Sequence, residues 1–163
     1  MNDAEKSSAD LIELTLSEQG SYRKIDDSLY VIKQGSTYVM INIVPWADDK
    51  ALIRCCAQLV RGVTMEEDLA VDLLHLNGQL RFGAFAYDPG ERIVFFLHSI
   101  LGGPSMDRNE LLATLTDVAI IADEYDDQII EFYGGQTMHD LLEDRALINI
   151  LDTDPTEFSF RKG

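Results

Sequence analysis

The run Tyr38-Val39-Met40-Ile41-Asn42-Ile43-Val44, followed by Leu52-Ile53-Arg54-Cys55-Cys56-Ala57-Gln58-Leu59-Val60, decides the class of fold. Successive side chains of a strand point to opposite faces. Val39, Ile41 and Ile43 therefore share one side of the first run. In the second, Ile53, Cys55, Ala57 and Leu59 share one side, opposite Arg54, Cys56 and Gln58. Leu29 to Lys33 reads as a strand before them, joined through Gln34-Gly35-Ser36, a short turn-forming spacer. Pro45 cannot donate to a ladder and is expected to end the middle strand, with Ala47-Asp48-Asp49-Lys50 turning the chain into the next. Three antiparallel strands with one consistently apolar face make a half-buried sheet.

Helical signals flank this block. Leu11, Ile12, Leu14 and Leu16 predict a helix from Ser8 to Gln19, ended by Gly20. Thr64 with Glu67 reads as a capping box opening a second helix, whose Leu69, Leu73 and Leu76 recur at helical spacing until Asn77-Gly78. Phe82 to Tyr87 and Arg92 to Ser99 form a hairpin about Asp88-Pro89-Gly90-Glu91. A long amphipathic helix follows, capped by Asp107 and Glu110 and closed by Gly134-Gly135, with Leu111, Leu115, Val118, Ala122, Tyr125, Ile129 and Phe132 on its seam. The expected order is α-β-β-β-α-β-β-α. That is a two-layer α+β domain in which helices pack a twisted antiparallel sheet of five strands. Residues 1–7 are expected to be a flexible N-terminus, 8–135 the single domain, and 136–163 a C-terminal segment with a short helix around His139 to Ile150 and a polar tail.

The chain has 163 residues and a mass of 18.3 kDa, enough for one self-sufficient core. Thirteen Lys and Arg against twenty-nine Asp and Glu give a net charge of −16. Such a surface repels a phosphate backbone and anionic lipid, so neither nucleic acid nor membrane is an expected partner. Neutral or basic proteins suit it better. Met1-Asn2-Asp3-Ala4-Glu5-Lys6 has no basic patch or apolar core, so no secretory or transit signal is expected. Apolar runs such as Ile93 to Leu97 are too short to span a bilayer. The expected compartment is the cytoplasm.

Residues 107–157 hold fourteen acids against Arg108 and Arg145. Asp123-Glu124-Tyr125-Asp126-Asp127 invites a calcium reading, but an EF-hand loop needs a ligand where Tyr125 stands and glycine where Gln128 stands. A helix would also fan these carboxylates apart, so a solvated acidic face is the better reading. Cys55 and Cys56 point to opposite sides of one strand, and nothing in the spacing brings His75, His98 or His139 to either as a base. His98 alternates with Val94 and Phe96 as a strand histidine does. No catalytic residue, metal site or cofactor is expected. Phe82, Phe85, Tyr87, Phe95, Phe96 and Leu97 load both faces of the second hairpin, whereas a sheet covered on one side shows polar residues on the other. The C-terminal segment, a second subunit or a client chain must cover the second face.

The strings Phe82-Gly83-Ala84-Phe85-Ala86-Tyr87-Asp88 and Arg92-Ile93-Val94-Phe95-Phe96-Leu97-His98-Ser99, followed by a capped helix, resemble the YbjN-like family. Ala122-Asp123-Glu124-Tyr125-Asp126-Asp127, the Tyr133-Gly134-Gly135 ending and the Gly20-Ser21-Tyr22 entry resemble it too, over residues 8 to 135, most closely in its cyanobacterial and plastid branch. The resemblance implies a fold similar to type III secretion chaperones, which are small, acidic, dimeric α+β proteins that bind extended segments of other proteins. Family members are also described as regulators of sensory transduction. It implies no catalytic residues. The expected function is a non-enzymatic, homodimeric protein-binding module, chaperone-like or regulatory, with an apolar surface rimmed by acids. Phe85, Tyr87, Phe96, Asp123, Glu124, Asp126 and Asp127 are the candidate partner-binding residues. The alternative is a small-molecule or metal sensor whose ligand sits between helix and sheet, held by His75, His98 or Asp123.

Overall fold

The computed structural model describes residues 1–35 and 37–137. The elements run α1 (Asp3–Gln19), β1 (Arg23–Asp26), β2 (Leu29–Gln34), β3 (Thr37–Trp46), β4 (Lys50–Arg61), α2 (Glu67–Gln79), β5 (Ala84–Asp88), β6 (Ile93–Leu101), α3 (Arg108–Tyr133) and β7 (Gln136–Thr137). The α+β class and the helix-covered antiparallel sheet stand, but the described residues form seven strands rather than five. Five match the expected ones. The additions are β1, too charged to carry an apolar alternation, and β7, too short to carry any pattern.

The sheet order is β1-β2-β3-β4-β6-β5, with β7 paired to the end of β4, and every pairing is antiparallel. Alternate residues of the central strands are buried as expected: Val39, Ile41 and Ile43 on β3, and Ile53, Cys55, Ala57 and Leu59 on β4. β3 nevertheless runs through Pro45 to Trp46. The N–H of Ile43 donates to Ser28 O, so the nitrogen of Pro45, two residues on, also faces the β2 side, where that strand has already ended. No ladder bond is lost there, which is why proline is tolerated.

Two helix starts differ from expectation. α1 begins at Asp3, not Ser8, because Asn2 and Glu5 form a reciprocal capping box: Asn2 Oδ1 accepts from the Glu5 N–H at 2.8 Å, and Glu5 Oε2 from the Asn2 N–H at 2.6 Å. Thr64 does not cap α2, which begins after Glu66. Its hydroxyl accepts instead from Arg92 Nη2 at 2.9 Å, and the same guanidinium nitrogen donates to Gly62 O at 2.8 Å. These bonds hold Arg92, whose backbone is left-handed (φ 57°), at the mouth of the second hairpin. Asn77-Gly78 does not stop α2 either, since Gly78 keeps a helical backbone and the turn closes at Leu80.

α3 is capped by Asp107 and closed by Gly134 as expected. It lies over β3, β4 and β6 beside α1, and α2 packs on β5. Leu111, Leu115, Val118, Ala122 and Ile129 of its seam are buried in one continuous core, while Phe132 at its far end is 74% exposed. No helix among the described residues is long and apolar enough to cross a membrane. The expected short helix around His139 to Ile150 lies outside the described residues.

Candidate functional site

Helices cover one face of the sheet, and no described element covers the other. The register places Val31, Met40, Cys56, Leu97 and Ala84 opposite one another in a single row across β2, β3, β4, β6 and β5, which Arg23 extends onto β1. Each is half-buried. Phe95, between Gln58 and Ala86, borders this row on one side; Leu29, Asn42, Arg54 and Ser99 form the row on the other. The result is an apolar stripe with cations, Arg23, Lys33 and Arg54, standing beside it.

This corrects the candidate set. Phe85 and Phe96 face the helices and are 6% and 0% exposed. Their rings meet edge-on at 5.1 Å, and Phe85 also meets Tyr125 of α3 at 5.5 Å. Both are core residues that no partner reaches in the folded chain. Tyr87, on the same face as Val94, is half-buried and donates its hydroxyl to Val63 O at 2.8 Å. Asp126 is also buried, and its Oδ1 accepts from the Asp127 N–H. Asp123, Glu124 and Asp127 are exposed on α3. Of the candidate acids, the exposed Asp123, Glu124 and Asp127 thus stand on the helix layer, while Arg23, Lys33 and Arg54 stand beside the stripe on the other face.

The helix layer holds a groove of about 250 Å³ between α2 and the end of α3, lined by Leu69, Leu73, Leu76, Ile129 and Phe132, with Asp72 and His75 at its edge. Tyr133 spans it, donating to Asp72 Oδ2 at 2.8 Å. That bond, with some burial, pushes the Tyr133 phenol up to about 12, because ionising it would place two anions side by side. His98 sits apart from this groove, stacked at 5.1 Å on Phe82, and Asp123 lies near the Gly35 turn. His75, His98 and Asp123 are not brought together. No three His, Cys, Asp or Glu side chains among the described residues gather as a metal site.

Among the described residues, both edges of the sheet carry features that disfavour strand addition. Asn77 of α2 occupies the outward backbone groups of Phe85 on β5. At the other edge β1 is short, charged and interrupted by a register shift between Lys24 and Asp26, devices that disfavour edge pairing. The sequence names Arg54, Cys56 and Gln58 as one side of β4, and extending that alternation to Met40 finds the stripe. The spacing of the second hairpin leaves open which of Phe95 and Phe96 turns inward.

The described residues thus form an α+β domain with helices on one sheet face and an apolar stripe on the other. The family described as T3SS (YopN, CesT) and YbjN peptide-binding chaperone 1 matches residues 7–141. The chain belongs to that family. No curated protein matches it.

Proposed function

We propose that this protein is a non-enzymatic peptide-binding module, chaperone-like or regulatory, that receives an extended or amphipathic partner segment on its open sheet face. The observation that carries the reading is the apolar Val31–Met40–Cys56–Leu97–Ala84 row, over which no described element lies, in a family of peptide-binding chaperones. Apolar anchors on the row would supply affinity, and the exposed Arg54 beside it would favour acidic residues flanking them. A peptide array probed with the parent chain and with Leu97→Lys tests this. Binding of apolar peptides with acidic flanks, lost in the variant, is expected. Equal binding by both chains would overturn the face assignment.

The reading includes a homodimer. Val71 and Leu74 are 57% and 70% exposed on the side of α2 away from the groove, and both are large apolar side chains. Light scattering across micromolar concentrations that finds only monomer would end that part. The reading also places the protein in the cytoplasm, supported by two free thiols, and assigns it no nucleic-acid or membrane partner. The α2–α3 groove favours a second reading, a small-ligand sensor using Asp72, His75 and Tyr133. Calorimetric silence toward metals and nucleotides would remove it.

A further inference from the structure

A polar row divides the open face in two. Asn42, Arg54 and Ser99 stand in register across β3, β4 and β6, two residues along the strands from Met40, Cys56 and Leu97. All three are exposed. Two residues further on, Val44, Leu52 and Leu101 make a second apolar row, with Trp46 beyond it at the end of β3. Leu101 is 58% and Trp46 47% exposed, more than any member of the first row. Along β4 the face therefore presents Cys56, then the cation Arg54, then Leu52.

The charge of these three strands runs against that of the chain. Acids outnumber basic residues twenty-nine to thirteen, yet the open-face positions of β3, β4 and β6 hold no Asp or Glu. Lys50 lies over the Trp46 ring at 5.2 Å. The Arg54 guanidinium forms no hydrogen bond or ion pair with any described residue. A fork of N–H donors thus stands between two apolar rows and lacks an acceptor among them. The group that complements it is a carboxylate arriving with apolar neighbours. A second copy docked through this face would bring two acid-free strips together, each with its own Arg54, and is the poorer occupant.

The spacing defines the shape of that occupant. Successive rows are two strand residues apart, about 6.7 Å, so the two apolar rows are separated by about 13 Å. An extended segment laid along β4 has the same two-residue repeat, and its side chains i, i+2 and i+4 all turn toward the sheet. A helix rises about 1.5 Å per residue and would need anchors about nine positions apart.

We propose that the open face selects an extended segment of another protein in which one Asp or Glu stands between two large apolar residues, each two positions away. The acid meets Arg54, and the apolar side chains meet the Met40–Cys56–Leu97 and Val44–Leu52–Leu101 rows. The inference rests on the reading of that face as a peptide site and adds the pattern that the site reads. The pattern is the same in both chain directions. Moving one anchor by a single position turns it away from the sheet, and a basic residue at the centre sets two like charges together.

The test titrates the full-length chain into fluorescein-labelled synthetic peptides and reads anisotropy. The reference peptide carries Leu, Glu and Leu at i, i+2 and i+4 in a Ser/Thr background. Its companions replace the central Glu with Gln or Lys, move one Leu by a single position, or set the two Leu at helical spacing. Gln should weaken binding about fivefold, the scale of an exposed ion pair, and Lys should weaken it further. Arg54→Glu should reverse that order and make the Lys peptide the tightest, while Leu101→Asp should weaken every peptide. Arg54 and Leu101 are both exposed, so neither change touches the core, and thermal melts check that each variant is folded. An unchanged order in Arg54→Glu, indifference to a moved anchor, or preference for the helical spacing would overturn the proposal. The two readings also fail separately. Peptides that bind the parent and are lost in Leu97→Lys, but ignore the central residue, leave the peptide site standing and remove the pattern. Absence of binding by every peptide removes the site itself, and the pattern with it.

Discussion

The side chain of Asn77 grips the backbone of Phe85 with both of its polar atoms. Oδ1 accepts from the Phe85 N–H at 2.7 Å, and Nδ2 donates to the Phe85 carbonyl at 3.2 Å. Among the described residues β5 has no strand on that side, and a residue of α2 takes its place and joins the crossover helix to the sheet edge. Asn77→Ala leaves both part-buried groups of Phe85 without this partner, at a cost of about 1–3 kcal/mol. Urea denaturation should show that loss, and amide exchange should speed up at Phe85 more than at Phe96. Unchanged exchange at Phe85 would mean that the clamp does not hold in solution.

Gly135 offers a second test. Its backbone is left-handed (φ 95°), and a Cβ there would stand 2.6 Å from Val60 Cγ1 and 2.9 Å from Arg61 O. Gly62 is also left-handed (φ 79°) but has nothing within 4 Å of a Cβ. Gly62→Ala should therefore cost only the backbone term, about 1–2 kcal/mol. Gly135→Ala adds a clash with backbone and should lift β7 off β4. Thermal melts that rank Gly62→Ala as the more damaging change would contradict this packing.

These contacts show why part of the fold was legible in the sequence and part was not. The alternation of Val39, Ile41, Ile43 with Met40, Asn42 and Val44 reports burial on one side directly, because each side chain samples only one face. The capping of α3 by Asp107 is equally local. Phe95 and Phe96 are different: both are apolar, and only pairing with Gln58 and Ala57 decides which one turns inward. Asn77 looks like a helix stop in the chain but is a long-range clamp in space. Asp126 sits in an acidic run whose other members are exposed, and only the packing of α3 on the sheet singles it out. Tertiary pairing decided these cases, and no local pattern encodes it.

Glu13 supplies a pH dependence. Its Oε1 accepts from Lys24 Nζ and from the Tyr30 hydroxyl, each at 2.8 Å, tying α1 to β1 and β2. The bond from Lys24, then that from Tyr30, holds the Glu13 carboxyl below the usual glutamate range. A carboxyl depressed in the folded state stabilises the fold at pH above its unfolded value. That contribution fades as pH falls through the folded value. The acid limb of the stability curve should therefore be shallower in Glu13→Gln, with the two proteins converging once Glu13 is protonated. Chemical denaturation from neutral pH into the acid range measures this. A limb equally steep in both proteins would exclude Glu13 as a contributor.

The last prediction concerns the two adjacent thiols, which the pleat sends into different environments. Burial pushes Cys55 up to about 12, and a weaker effect of burial, opposed by the charge of Arg54, leaves Cys56 at about 11. The thiolate is the attacking species, so labelling of the native protein should be slow at neutral pH and climb as pH rises toward 11 at Cys56. Cys55 should react only through unfolding, so its rate should follow denaturant, and that of Cys56 at low denaturant should not. Arg54→Ala removes the cation that favours the Cys56 thiolate without touching the core, because Arg54 is exposed on the open face. Its thiol should then titrate higher and label more slowly at any pH below its own pKa, with Cys55 unaffected. Faster labelling in Arg54→Ala would mean that the arginine acts by shielding Cys56 sterically, and that access rather than charge controls reactivity on this face.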